Sequence, residues 1–128
     1  MGGVAYAMPL FISITMEGAP MLSETYITGN YQVIKFNEVL TLNSDIAELE
    51  DIVKDFLKES IVNIAIHFKD DSFISSRSGA VIMRCLDTIN GNNGNLAFVN
   101  VNRMIHSFLN VTALDPVIKT YNSEEELQ

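Results

Sequence analysis

Eight consecutive residues, Ile61-Val-Asn-Ile-Ala-Ile-His-Phe68, place β-branched side chains at Ile61, Val62, Ile64 and Ile66 and are apolar almost throughout. A run of this length and composition predicts a strand covered on both faces, the central strand of a sheet. Downstream, Ile82, Cys85, Leu86 and Ile89 recur at i, i+3, i+4 and i+7. They share one face of a helix that can pack back on that sheet. Between the two lies a polar turn, Asp70 to Ser78, at the carboxyl end of a strand and the amino end of a helix. Open α/β sheets expose functional groups at such junctions. The free N–H groups of a first helical turn also favour anions there.

Within Phe73-Ile74-Ser75-Ser76-Arg77-Ser78-Gly79-Ala80-Val81-Ile82-Met83, three hydroxyls crowd the start of one helix. Phosphorylation of a serine here adds about −1.5 to −2 charges near a helix amino end, which tolerates them, and changes the surface a partner meets. The plainer reading is that Ser75 or Ser76 is an N-cap with no regulatory meaning.

With 128 residues, 48% of them hydrophobic, the chain has enough material for one core and is not of disordered type. Eight basic against sixteen acidic residues give a net charge of −8, which argues against nucleic acid as a partner. Cys85 is the sole cysteine; it cannot form an internal disulfide, fits a reducing, cytoplasmic setting, and reads as a small buried hydrophobe. His67 and His106 are the only histidines and have no partners at metal-ligand spacing, so no metal is expected. Neither Gly-x-x-x-x-Gly-Lys-Ser/Thr nor Gly-x-Gly-x-x-Gly is present, and no cofactor is expected. Ser76 with His67 or His106 as base lacks a nucleophile motif such as Gly-x-Ser-x-Gly. Asp70 and Asp71 as an acid–base pair are more simply two solvated acids in a turn. The expectation is a domain that is not an enzyme.

Residues 1–22 read as an apolar extension and linker, with Glu17 the only charge among the first twenty. No basic residue precedes the apolar run and Pro9 interrupts it, so neither a secretory signal nor a membrane span is expected. Tyr6 stands where myristoylation wants Ser or Thr. Three readings remain: a start at Met16 or Met21, a strand or arm packing on this domain or on a second copy as a homodimer contact, and a weakly membrane-associating segment.

From Ser23 the elements follow in order. Ser23 to Thr28 and Tyr31 to Phe36 read as a hairpin through Gly29-Asn30. Asn43, Ser44 and Asp45 offer N-caps to a helix with Ile46, Leu49, Val53 and Phe56 on one face; the charges at Glu48, Glu50, Asp51, Lys54 and Lys58 read as its solvated surface. Gly91-Asn-Asn-Gly94 ends the next helix, and Asn95 to Val101 supplies another buried strand. Ile105, Phe108 and Leu109 stripe a third helix, Val117 to Tyr121 is a last strand, and Ser123 to Glu126 is a capping-box pattern opening a short final helix. The order ββαβαβαβα predicts an α/β fold with a mixed, mostly parallel sheet, a leading hairpin and right-handed crossovers.

This order and the serine turn together resemble the STAS domain family, the domain of anti-sigma factor antagonists and of sulfate-transporter tails, over about Ser23 to Gln128. The family's signature, an apolar strand ending in Phe/Val-Ile-Asp-Ser before a small-residue helix start, corresponds without gaps to Phe73-Ile74-Ser75-Ser76 and then Val81-Ile82-Met83. Asn95-Leu-Ala-Phe-Val-Asn-Val-Asn102 is similar to its strand before the third helix, Phe108-Leu-Asn-Val-Thr-Ala-Leu-Asp115 to its "leucine, threonine, glycine, leucine, aspartate" segment, and Ile118 to Leu127 to its closing strand and helix. The resemblance implies an anti-sigma factor antagonist, a non-enzymatic partner switch. An anti-sigma factor that is also a serine kinase would phosphorylate Ser76, with Ser75 and Ser78 as alternatives. Asp70, Asp71, Ser75, Ser76, Arg77 and Ser78 would meet that partner. The chain departs from the pattern at Ser75, where the family has aspartate, at Arg77 and Ser78, where it has a small residue and glycine, and at Ala113, where it has glycine. Two other roles stay open at this point: an unphosphorylated scaffold subunit of a signalling assembly, and a domain binding a nucleotide or lipid at the serine turn.

Overall fold

The computed structural model describes residues 23–128; the N-terminal extension, and with it the expected arm or homodimer contact, lies outside the described residues. The expected hairpin forms from β1 (Ser23–Thr28) and β2 (Tyr31–Phe36), paired antiparallel with Thr28 opposite Tyr31. Gly29 takes φ +60° at the first central position of its two-residue loop, the place where tight hairpin turns call for glycine. After α1 (Glu48–Lys58) come β3 (Asn63–His67), α2 (Ser76–Gly91), β4 (Asn95–Val99), α3 (Arg103–Val111), β5 (Lys119–Tyr121) and a single 3-10 turn, Glu124–Leu127. The predicted order holds element by element, the last helix being only that turn.

The sheet runs β1-β2-β3-β4-β5, parallel from β2 onward. Because each parallel step moves the same way across the sheet, right-handed crossovers put α1, α2 and α3 on one face. Packing agrees with that constraint: Ile34, Ile64, Ile66 and Phe98 from the strands are buried with Leu49 and Val53 of α1, Ile82 and Ile89 of α2, and Ile105 and Leu109 of α3. On the opposite face Val33, Ala65, Ala97 and Val99 are closed over by Leu127 and the rings of Tyr26, Tyr31 and Tyr121. Consecutive residues Ile64, Ala65 and Ile66 therefore have no exposed surface, which is what the unbroken apolar run of β3 predicted.

Three local expectations change. Asn43, Ser44 and Asp45 do not cap α1 directly: Ser44 Oγ accepts from Thr41 N–H (2.8 Å) and Asp45 Oδ1 from Ala47 N–H (2.9 Å). Turns at Thr41–Ser44 and Ile46–Leu49 already bend the chain into the helix, so the N-cap Ala47 sits in helical geometry. Glu50 is only partly solvated; it accepts from Arg84 Nε at 2.9 Å and ties α1 to α2. The Ser123 capping box is replaced by Glu126 accepting from Asn122 N–H (3.0 Å).

Glu124 anchors the final turn. Its carboxylate receives the Tyr26 hydroxyl, lies 2.5 Å from His67 Nδ1, and meets Thr28 Oγ1 at 3.4 Å. Partial burial pushes this carboxyl upward, but the hydrogen bonds from Tyr26 and His67 outweigh it and leave the group below its ordinary range. The Tyr26 phenol is raised, first by burial and then by that same bond.

A carboxyl depressed in the folded state stabilises fully above its ordinary value of 4.5, and that contribution disappears as pH falls through the depressed value. Urea unfolding should accordingly show a wild-type advantage over Glu124→Gln that is largest above pH 4.5 and closes in acid. The glycines give a second test. A Cβ on Gly94 would lie 2.2 Å from the Val62 carbonyl oxygen, whereas one on Gly91 meets nothing within 4 Å. Gly94→Ala should cost about 2 kcal/mol or more in urea unfolding, and Gly91→Ala should be neutral or stabilise by up to ~1 kcal/mol.

Candidate functional site

The junction between β3 and α2 is built by sorting three serines. Ser75 holds extended geometry (φ −75°, ψ 169°) as N-cap of α2; its Oγ accepts from Ser78 N–H at 3.1 Å and its carbonyl from Gly79 N–H at 2.7 Å. That is the bond an N-cap serine is suited to make. It turns Ser75 inward, at 7% exposure. Ser78, one turn into the helix, is buried to 1%, and its Oγ has no hydrogen-bond partner among the described residues. Ser76, the first residue of α2, is exposed. Of the three candidate acceptors of a phosphoryl group, only Ser76 presents its side chain to solvent.

The turn before α2 is pinned from two sides. Ser72 is fully buried, and its Oγ accepts from Leu40 N–H (2.9 Å), while Phe73 N–H donates to Leu40 O (3.0 Å), fixing the turn to the β2–α1 connection. Asn102 donates through Nδ2 to Ser72 O (2.7 Å) and caps α3 by accepting from Ile105 N–H (2.9 Å), fixing the turn to the β4–α3 loop. Asn100, at φ 64°, donates through Nδ2 to Phe68 O and to Asp70 Oδ1, both at 2.8 Å. Asn is one of the few residues that takes such a φ readily. Ser72, Asn100 and Asn102 are supporting residues that the sequence does not single out by pattern alone; an Asn three residues ahead of the first stripe residue, Ile105, is a readable cap signal for Asn102.

Asp70 and Asp71 are exposed, Asp71 in left-handed geometry at φ 69°, and the Asp70 carboxylate is engaged by Asn100. The acid beside the first turn of α2 is Asp45, with Oδ2 3.9 Å from Arg77 Nη2; Glu50 meets Arg84 two turns further on. Arg77, Ser78, Val81 and Arg84 of α2 face Asp45 and Ile46 across a groove of about 310 Å³. No acidic residue occupies the first turn of α2, so its amino end carries the helix-dipole charge uncompensated. His67, one of the two bases considered for a serine nucleophile, lies on the sheet's second face against Glu124. Cys85 is buried on α2; burial and the nearby Glu50 charge outweigh Arg84 and Lys54 and push its thiol up to about 12, where it is not a thiolate at neutral pH. Among the described residues no group of three His, Cys, Asp or Glu could hold a metal ion, and no helix is long and apolar enough to cross a membrane.

The model of the STAS domain family matches residues 23–127. Among solved structures, the chain is similar to the crystal structure of a candidate anti-sigma factor antagonist, TM1081 from Thermotoga maritima, with 27% identity, a TM-score of 0.68, and 81% of this chain and 89% of that one covered. The NMR structure of TM1081 aligns with a TM-score of 0.62 at 21% identity, covering 91% and 94% of the two chains. No curated protein matches in sequence.

Ser75 and Ser76 should separate in stability measurements. Ser75→Ala removes the cap bond and should cost ~1 kcal/mol in urea unfolding. Ser76→Ala, on an exposed side chain, should stay within about 0.5 kcal/mol of wild type.

Proposed function

The chain belongs to the STAS domain family, and on that premise we propose that it acts through residues 23–128 as an anti-sigma factor antagonist, switched by phosphorylation of Ser76. The observation that carries this reading is the sorting of hydroxyls: Ser76 is exposed at the first position of α2 while Ser75 and Ser78 are buried on either side. A kinase can reach one oxygen in the turn without unfolding the helix. The unmodified surface around it, made of the turn and the outward side of α2, would dock an anti-sigma factor and so free its sigma factor. Met83, seven residues from Ser76 and half exposed, adds apolar area to that side of the helix.

The physics of the switch is local. A phosphoryl group at the first residue of α2 faces two open N–H donors and an uncompensated dipole, so the helix accepts the charge. An interface packed over the same hydroxyl does not. It must desolvate a dianion and place it against whatever the partner holds there, and a loss of roughly 3 kcal/mol already weakens binding more than a hundredfold. Phosphate enters and leaves at the kinase's expense; this domain supplies a substrate hydroxyl and a docking face, with no catalytic role of its own. The reading places the protein in the cytoplasm, where a single reduced cysteine is at home.

Calorimetric titration of the cognate anti-sigma kinase with three forms of the chain tests the proposal. Ser76→Asp should lose binding by about a hundredfold or more, and Ser76→Ala should bind as wild type does. Incubation with that kinase and ATP should label wild type at Ser76 and leave Ser76→Ala unlabelled. Equal binding by both variants, or label on another residue, would end the assignment.

A further inference from the structure

The sheet has two edges, and only one of them is defended against further pairing. β5 is three residues long and carries Lys119, a short and charged edge of the kind that discourages an added strand. β1 is six residues long, and Glu24 is its only charge. Its register with β2 tells which of its backbone groups are open. Thr28 and Tyr31 flank the two-residue loop as a hydrogen-bonded pair, so Thr28, Tyr26 and Glu24 turn their N–H and C=O groups toward β2. Thr25 and Ile27 turn theirs outward, where no strand lies among the described residues. The apolar cover is also incomplete on this side. Ile27 is 68% exposed and lines a groove of about 260 Å³ with Gln32, Ile61 and Val62.

We propose that residues 10–15 of the same chain occupy this edge as an added antiparallel strand. Leu10-Phe-Ile-Ser-Ile-Thr15 is as long as β1, carries no charge, and is bounded by Pro9 on one side and by Gly18 and Pro20 on the other. Residues 16–22 separate it from Ser23, a length that an ordinary connecting loop can have. With Thr15 opposite Ser23, Ser13 faces Thr25 and Phe11 faces Ile27, the two positions with open backbone groups. Phe11 then shares a side of the sheet with Ile27, an aromatic beside a β-branched neighbour. Ile12 and Ile14 fall on the other side, next to Tyr26 and the layer it shares with Leu127. A second copy is the weaker occupant. Pairing β1 with the β1 of another chain joins six residues a side, against roughly 20–30 in a standard interface. A segment tethered by a short loop acts instead at an effective concentration on the order of millimolar. The contact involves neither Ser76 nor its partner, so it stands or falls apart from the switch.

Hydrogen exchange of individual amides, followed by NMR on the full chain, tests the pairing. The Thr25 and Ile27 amides should exchange slowly in wild type, and at a rate independent of protein concentration, because the contact lies within one chain. Ser13→Pro takes a donor out of the added strand and should speed both amides about tenfold or more, the scale of one lost hydrogen bond. Ala5→Pro, outside the run, should leave both as they are. The Ile64 and Ile66 amides at the centre of the sheet report folding and should stay protected in all three forms. Rapid exchange of Thr25 and Ile27 in wild type, or rates unchanged by Ser13→Pro, would overturn the proposal. Protection that develops only as concentration rises would overturn it too, and would give the edge to a second copy.

Discussion

Everything in this fold is hung on β3, a parallel strand with apolar side chains committed to both sides. Ile64 and Ile66 need the helical layer and Ala65 needs the tyrosine layer, so the strand cannot slip by one residue without exchanging two environments of different depth. Fixing the strand fixes where it ends. His67 is the last paired position; Phe68 follows with its N–H bonded to Val99 O and its ring edge-on to Phe98 at 4.9 Å, and the chain must leave the sheet there for α2. The exposed hydroxyl at the helix start is thus placed by the core beneath it, through a turn whose backbone is bonded to the connections on both sides.

That arrangement explains how a mobile element type can carry a positioned group. Loops ordinarily vary in place, but this one is anchored by Ser72 to the β2–α1 connection and by Asn100 and Asn102 to the end of β4. Each anchor pairs a side chain with backbone, which satisfies buried groups that the sheet leaves open at its carboxyl edge. A charge added at Ser76 would therefore change the surface more than the scaffold.

Much of this was legible in the sequence because it depends on period and punctuation. The strand run, the i, i+3, i+4 stripes and the Gly29-Asn30 and Gly91–Gly94 breaks report burial directly, and burial is what pattern reading detects. A serine cap at Ser75 or Ser76 followed from the same logic, and the structure gives it to Ser75. What stayed hidden were interactions between segments far apart in the chain. Nothing near Glu124 reveals that Tyr26 and His67 converge on it, nothing near Glu50 reveals Arg84, and Ser72 looks like any turn serine until Leu40 is placed beside it. The sorting of Ser75, Ser76 and Ser78 is intermediate: the helix period says that Ser75 and Ser78 share a face, but only the packing of α2 says which face is inside.

The same packing makes Ser78 informative. At a helix position that faces the interior, glycine leaves no polar atom and alanine leaves none either, so a serine adds a hydroxyl that the core has no use for. Stability alone favours its loss. Arg77 poses a parallel problem, because a cation at the second residue of a helix opposes the dipole instead of complementing it. Asp45 relieves Arg77 only in part, being too distant for a tight bond and having its other oxygen bonded to Ala47.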